Sequence, residues 1–149
     1  PEHTYADAPK LDILVVPGGA MGNVGRDGRA WLKATAPKTR ITMSVCMGAF
    51  LMADAGLLDG IEATTHSWGI KRLQTTSPKC RVVSNRRFVD SGRIITTGGV
   101  TAGIDGALHI VERLYGKEAA EWTAGEWMEY RINPAGAKPA ASQSERSKP

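Results

Sequence analysis

The apolar run that ends in Pro17-Gly18-Gly19 is the feature that most restricts the fold of this chain. Leu11 to Val16 reads LDILVV, with β-branched residues and no alternation between apolar and polar positions. This pattern is typical of a strand that is buried on both faces, and such strands occur mainly in parallel sheets covered by helices. The sequence therefore predicts an α/β fold with a mostly parallel sheet.

Helical and strand-like segments alternate along the rest of the chain. The predicted helices are 27–36, 48–58, 68–76, 101–115 and 117–131, and the further predicted strands are 41–45, 62–65, 81–84, 86–89 and 93–97. The turn signal Asp90-Ser91-Gly92 predicts that the last two strands form an antiparallel ribbon. We expect one three-layer, flavodoxin-like domain over 1–131. Residues 132–149 lack an apolar period and are expected to form a disordered tail.

Length, charge and cysteine content exclude several classes of protein. The 149 residues contain neither an apolar run of about 18 residues nor a secretory leader pattern, so we expect a cytoplasmic protein with no membrane partner. The net charge of +4 comes from 19 basic and 15 acidic residues that are scattered, so no nucleic-acid partner is expected. Cys46 and Cys80 lack CxxC spacing and histidine partners, which argues against a disulfide and a metal site. The glycines of GGAMGNVG (18–25) do not follow a nucleotide-binding order, so no cofactor is expected.

The most informative residue for function is Cys46, which lies between a predicted strand and a predicted helix. Ser44 and Gly48 stand two positions before and after it, which is the small-x-nucleophile-x-small spacing of a nucleophile elbow. Such a sharp turn needs small neighbours and points the central side chain outward. The sequence predicts a thiol at a helix N-terminus, where N–H groups and the helix dipole favour the thiolate. The alternative is an inert buried thiol, a common state of free cysteine.

Backbone N–H groups close to this turn are candidates for binding substrate. Those of Met47 and Gly48 begin the helix, and those of Gly18 and Gly19 follow a neighbouring strand at the same edge of the sheet. Groups of this kind can stabilise a developing oxyanion. His66, at the end of a predicted strand, is either a general acid or base beside the thiol or a structural imidazole in the pocket.

Other polar and aromatic residues favour structural roles. His109 lies on the apolar face of a helix, and Asp105 suits helix capping or the anchoring of a loop better than contact with substrate. Cys80 lacks the small-residue spacing and is expected to be incidental. The sequence also predicts a basic face on the ribbon, formed by Arg81, Arg86, Arg87 and Arg93, which is solvated or, as the alternative, binds a partner or an anion. Trp122 and Trp127 are expected to pack the last helix against the domain.

Four segments of the chain resemble the DJ-1/PfpI superfamily, whose members have a class I glutamine amidotransferase-like fold. They are LDILVVPGG (11–19), SVCMGAFLMADAGLLDG (44–60), ATTHSWGI (63–70) and TTGGVTAGIDGALHIVERLYG (96–116). Within the superfamily these segments are most similar to isonitrile hydratases and to the amidotransferase-like domains of AraC-type transcriptional regulators. The resemblance implies a small-molecule substrate and a homodimer.

The resemblance also implies roles for individual residues. These are a nucleophile at Cys46, backbone donors at Gly19 and Met47, and a pocket wall that includes His66. Met47 departs from the pattern, because isonitrile hydratases usually carry a hydroxyl residue at this position. The strand and helix that precede the PGG strand in the family, with the acidic residue that they place near the thiol, have no counterpart here. We therefore expect an incomplete domain, or one completed by another chain, with an exposed sheet edge.

Three functions are compatible with these observations. The first is a cysteine-dependent enzyme, nearest to an isonitrile hydratase, in which Cys46 attacks an electrophilic carbon and water resolves the adduct. The second is a ligand-sensing domain of an AraC-type regulator, although residues 132–149 are too few and too polar to form a helix-turn-helix. The third is a redox or stress-response protein in which Cys46 is oxidised reversibly.

Overall fold

Six strands form two sheets in the computed structural model, which describes residues 2–19 and 24–131. In chain order they are β1 (Ile13–Val16), β2 (Ile41–Val45), β3 (Glu62–Ala63), β4 (Arg81–Val82), β5 (Phe88–Asp90) and β6 (Ile94–Thr97). The central sheet has the order β1-β2-β6-β5, in which only β5 runs antiparallel, and β3 and β4 form a separate parallel pair. The predicted mostly parallel sheet and its antiparallel ribbon are confirmed. The predicted tail, 132–149, lies outside the described residues.

Helices cover both faces of the central sheet. In chain order they are α1 (Arg26–Thr35), α2 (Gly48–Asp54), α3 (Ile70–Thr76), α4 (Thr101–Tyr115) and α5 (Lys117–Trp122). On one face Leu14 and Val16 belong to the same buried cluster as Leu32 of α1. On the other face Met43 of β2 and Ile110 of α4 share a second cluster. The layered α/β architecture expected from the alternating segments is therefore confirmed.

β1 is an edge strand of the central sheet, and only one of its faces is buried. Leu14 and Val16 are buried, whereas Ile13 and Val15 are 37% and 47% exposed. The prediction that this strand is buried on both faces was wrong, because α4 packs over β2, β6 and β5 on that side of the sheet. An apolar run does not by itself distinguish a central strand from an edge strand with an exposed apolar face.

The last described segment departs from the predicted single helix over 117–131. α5 ends at Trp122, and a π-helical turn, Thr123–Trp127, follows it. Trp122 and Trp127 are 57% and 73% exposed, and their rings meet edge to face with 5.8 Å between centroids. The prediction that these tryptophans pack the helix against the domain was wrong, because the buried positions here are the small Ala120 and Ala124.

Asp90, at the end of β5, links the antiparallel ribbon to α4. Its carboxylate accepts hydrogen bonds from His109 Nε2 at 2.7 Å, from Arg113 Nη1 at 3.1 Å and from the backbone N–H of Gly92 at 2.8 Å. The His109 ring also stacks on Phe88, with 4.6 Å between centroids. These contacts agree with the structural role predicted for His109.

Asp90 is expected to make the stability of the domain depend on acid pH. Partial burial raises the pKa of Asp90, but hydrogen bonds from His109 and Gly92 and the charge of Arg113 outweigh it and hold the pKa below its ordinary value. Such a carboxyl contributes stability above its unfolded pKa of about 3.9, and the contribution is lost as the pH falls through the folded pKa. We expect Asp90→Asn to lower the free energy of unfolding by about 1–3 kcal/mol at neutral pH and by less at about pH 3. Urea unfolding at both pH values measures this, and an equal loss at both would contradict it.

Candidate functional site

Cys46 forms the turn between β2 and α2 in a backbone conformation that is rare for a residue with a side chain. Its φ is 55°, in the left-handed region. Its N–H donates to the carbonyl oxygens of Thr97 at 3.2 Å and Gly98 at 3.0 Å, and its own carbonyl accepts the Thr65 hydroxyl at 2.7 Å. These bonds hold the chain in a conformation that costs about 1–3 kcal/mol. Strain of this kind is concentrated at functional sites.

Close packing explains the small residues on either side of Cys46. A Cβ on Gly48 would lie 2.4 Å from the carbonyl oxygen of Val16 and 2.7 Å from that of Pro17. α2 therefore begins directly against the end of β1, and a larger residue at 48 would collide with backbone atoms. Ser44 is completely buried in the sheet, and its hydroxyl has no hydrogen-bond partner among the described residues.

The Cys46 thiol lies beside the glycine turn that follows β1. The residue is partly buried, and a Cβ on Gly18 would lie 2.8 Å from Cys46 Cβ and 3.4 Å from its Sγ. The next residue, Gly19, has a φ of 134°, a conformation that favours glycine. At the start of α2, the N–H groups of Met47 and Gly48 find no acceptor in the described part of the chain. The structure thus brings the thiol, the Gly18 turn and the start of α2 together.

His66 lines a cavity of about 560 Å³ whose wall also includes Thr65 and Gly98, two of the residues that are hydrogen-bonded to the Cys46 backbone. Its ring packs on Gly99, where a Cβ would lie 2.3 Å from the ring Cδ2. No hydrogen bond joins this ring to the thiol among the described residues. The contact expected between a general base and its nucleophile is therefore not observed.

The tautomer of His66 follows from its second contact. Its Nδ1 accepts a hydrogen bond from the backbone N–H of Trp68 at 3.3 Å. Because this nitrogen is an acceptor, the proton of the neutral ring is on Nε2. In this arrangement the imidazole offers an N–H donor rather than a second lone pair.

Gly18 and Gly19 line a different, mostly apolar cavity of about 370 Å³, together with Tyr5 and Trp31. This cavity lies against β1 and shares no lining residue with the His66 cavity. The predicted site residues are therefore not all in one cavity. Cys46 lines neither cavity: its thiol lies beside Gly18, in the wall of the apolar cavity, and its backbone is hydrogen-bonded to Thr65 and Gly98, in the wall of the His66 cavity.

A buried ion pair that the sequence analysis missed borders the His66 cavity. Asp105 of α4 is 1% exposed, and its carboxylate accepts hydrogen bonds from Arg87 Nε and, at 2.8 Å, from the Tyr130 hydroxyl. Arg87 Nη2 also donates to the Thr101 hydroxyl at 3.0 Å. The role of Asp105 in anchoring a loop is confirmed, whereas the prediction that Arg87 lies on a solvated face was wrong.

Electrostatics favour the charged form of the Arg87 guanidinium and the protonated form of the Tyr130 hydroxyl. Burial lowers the pKa of Arg87, but the hydrogen bond and charge of Asp105 outweigh it, so the net direction is upward. Burial and the bond to Asp105 raise the pKa of Tyr130. A signal was present in the sequence: an acidic residue on the buried face of a helix needs a charged or hydrogen-bonding partner.

Val100, directly after Gly99, is a second strained residue that the sequence analysis missed. Its φ of 47° and ψ of −105° are unfavourable for a β-branched side chain, and the residue is 81% exposed in the wall of the His66 cavity. Valine has no propensity for this conformation, so local sequence gave no signal for it.

The second cysteine, Cys80, is buried away from this site. Burial and the charge of Asp59 raise the pKa of its thiol, which disfavours the thiolate.

Within residues 2–19 and 24–131, no group of three His, Cys, Asp or Glu side chains has an arrangement that would hold a metal ion. None of the helices in the described part of the chain has the length and apolar character needed to cross a bilayer.

Comparison of the sequence with known proteins identifies its relatives. Residues 1–113 match the model of the DJ-1/PfpI family. Isonitrile hydratase from Pseudomonas putida is 39% identical over 124 residues, which are 81% of this chain and 53% of the hydratase. The HTH-type transcriptional regulator GbdR of Pseudomonas aeruginosa is 32% identical over 120 residues, which are 79% of this chain and 32% of the regulator.

The fold agrees with these sequence relationships. A THiJ/PfpI family protein from Pseudomonas syringae, known from its crystal structure, matches with a TM-score of 0.72 at 26% identity, over 94% of this chain and 57% of that one. This chain spans about half the length of that protein and of the hydratase. Because the family model matches most of its residues, the chain belongs to the DJ-1/PfpI family.

Proposed function

We propose that this protein is a cysteine-dependent enzyme for small electrophilic molecules and that Cys46 is its nucleophile. The observation that carries the proposal is the left-handed conformation of Cys46 between β2 and α2, in a partly exposed residue whose thiol lies beside Gly18. A strained residue with a reactive side chain favours a chemical role over a packing role. The similarity to Pseudomonas putida isonitrile hydratase supports isonitriles as the first substrates to examine.

For an isonitrile the proposed reaction has two steps. First, the Cys46 sulfur bonds to the terminal isonitrile carbon and this carbon takes up the thiol proton, which gives a thioimidate. Water then adds across the carbon–nitrogen double bond, one of its protons going to the nitrogen. The tetrahedral intermediate expels the Cys46 sulfur, which takes back the hydroxyl proton, and an N-substituted formamide is left. One water is consumed and no oxidant is required. The N–H groups of Met47, Gly48, Gly18 and Gly19 are proposed to stabilise the negative charge that develops during attack.

His66 is proposed to donate a hydrogen bond in the second step. Because its Nδ1 accepts the Trp68 N–H, the neutral ring carries its proton on Nε2 and can donate this N–H to the substrate nitrogen, which polarises the carbon–nitrogen double bond without a net transfer of the proton. The packing of the ring on Gly99 fixes its position in the cavity wall. This supports the role of hydrogen-bond donor to the substrate rather than that of general base for the thiol.

Thiol labelling followed by intact-mass spectrometry tests the proposal. We expect iodoacetamide to modify Cys46 in the folded protein while Cys80, which is buried and has a raised pKa, stays unmodified. An isonitrile is expected to slow this labelling and to be converted into its formamide, detected by NMR. Labelling of Cys80 first, or no protection by isonitriles or aldehydes, would contradict the proposal. Oxidation of Cys46 by peroxide without any turnover would favour the redox function instead.

Ligand sensing is the second candidate function, favoured by the similarity to the regulator GbdR. In that case a small molecule would bind in one of the two cavities without reacting. Equal binding affinity in the wild-type chain and in Cys46→Ala, with no product formed by either, would favour sensing over catalysis.

A further inference from the structure

The cavity that His66 lines is large enough to hold a small molecule. Its volume of about 560 Å³ is typical of ligand-binding sites. Thr65 and Gly98, both in its wall, are hydrogen-bonded to the backbone of Cys46. A molecule in this cavity would therefore lie next to the turn that carries the thiol.

The charged residues in the wall of this cavity are all positive. Lys71 of α3 and the consecutive Arg86 and Arg87, just before β5, line it, and none of the described residues in its wall is acidic. Lys71 and Arg86 are exposed, and no acidic side chain of the described residues forms an ion pair with either of them. Positive charges around a concave surface raise the local concentration of anions.

Arg87 is held in a fixed orientation at this wall. The buried carboxylate of Asp105 fixes its Nε, and the Thr101 hydroxyl accepts from its Nη2. Its Nη1 has no hydrogen-bond acceptor among the described residues. Because Asp105 neutralises Arg87, the other two cations supply the net charge of the cavity, while Arg87 supplies directed donors that suit a planar oxyanion.

Neutral donors complete the wall of the cavity. Ser67, Ser84 and Asn85, whose side chains can donate hydrogen bonds, also line it. His66 adds an Nε2–H donor, because its Nδ1 is occupied by the Trp68 N–H. Together with the cations, these groups form a surface rich in hydrogen-bond donors, which is the complement of an anion.

From this arrangement we infer that the cavity binds the anionic group of a small molecule, either a carboxylate or a phosphate. We further infer that this molecule is the substrate of Cys46, and this second step alone rests on the proposed function. The substrates are then electrophiles that carry a carboxylate or phosphate group, and neutral alkyl isonitriles are poor substrates.

An NMR titration with inorganic phosphate and with acetate tests anion binding without any reaction. At constant ionic strength, set with chloride, we expect one of the two anions to produce saturable shifts in the amides of Thr65 and Gly99. Lys71→Gln and Arg86→Gln are each expected to weaken binding about tenfold. Lys33→Gln removes a positive charge from α1, outside the cavity, and is expected to leave the affinity unchanged. Saturation by neither anion, or equal weakening by Lys33→Gln, would overturn the inference.

A matched pair of substrates then tests the link to the reaction. If acetate binds, the pair is isocyanoacetate and its methyl ester; if phosphate binds, it is an isocyanoalkyl phosphonate and its dimethyl ester. We expect the anionic member to have a kcat/KM at least about tenfold higher, and this ratio to approach one in Lys71→Gln/Arg86→Gln. Equal values in the wild-type chain would overturn the assignment of the anion to the substrate. Failure of both members to react would count against the proposed function alone, because the titration still decides the anion site.

Discussion

The Cys46→Ala variant is expected to convert isonitriles at least about 10³-fold more slowly than the wild-type chain. Removal of the sulfur removes the covalent step and leaves only the N–H groups and the cavities to act on the substrate. Alanine keeps the same steric cost at a φ of 55°, so the fold is expected to be retained. The measurement is kcat/KM from the formamide produced, with circular dichroism to show that the variant is folded.

Two further variants show whether the effect belongs to Cys46. Cys46→Ser keeps a polar atom in place but replaces the thiol by a much weaker acid, so a similar loss of turnover is expected. Cys80→Ala removes the other thiol of the chain and is expected to leave kcat/KM per folded molecule unchanged, because that side chain is buried away from the site. Undiminished turnover in Cys46→Ala would contradict the proposed function.

The backbone strain at Cys46 is expected to affect the stability of variants at this position. Glycine adopts a positive φ without the Cβ clash, so Cys46→Gly is expected to be about 1 kcal/mol more stable than Cys46→Ala while also being inactive. Thermal unfolding of the two variants measures the difference. A glycine variant that is no more stable would show that the turn is not strained.

The features that were predictable from sequence are those encoded by residues close together in the chain. α4 runs from Thr101 to Tyr115 as predicted, because its apolar period is long and Gly116, at a φ of 93°, ends it. The turn at Cys46 was predictable for the same reason, because small residues are required on both sides of it. Gly48 packs against the end of β1, and Ser44 is buried within the sheet. Short-range patterns therefore located both the best-defined helix and the candidate nucleophile.

The features that were not predictable depend on which elements meet in space. Nothing in LDILVV shows that α4 leaves one face of β1 uncovered and Val15 exposed. Likewise, Arg87 and Asp105 are distant in sequence, so their pairing depends on how the ribbon packs against α4. For the same reason the predicted basic face did not include Lys71, which lines the same cavity as Arg86 and Arg87 only in the folded chain.

The Arg87→Met variant is expected to lower the free energy of unfolding by about 3–5 kcal/mol. Without the guanidinium, the carboxylate of Asp105 is left buried with the Tyr130 hydroxyl as its side-chain donor. An uncompensated buried charge is far more costly than the loss of an exposed ion pair. Arg86→Met provides a matched control, since Arg86 is the preceding residue and is exposed, and it is expected to change stability by no more than about 0.5 kcal/mol.

Removal of both charges distinguishes the contribution of the ion pair to stability from the contribution of side-chain packing. In Arg87→Met/Asp105→Leu no buried charge remains, so much of the lost stability is expected to return, as it does when a buried pair is replaced by apolar residues of similar size. Urea unfolding of the two single variants, the double variant and the wild-type chain gives the coupling energy. The expectation would be contradicted if Arg87→Met and Arg86→Met lowered the free energy of unfolding equally, or if the losses of the two single variants added up in the double variant. Either result would show that the buried carboxylate of Asp105 is not stabilised by Arg87. A large coupling would instead show that Asp105 and Arg87 stabilise the fold as a pair.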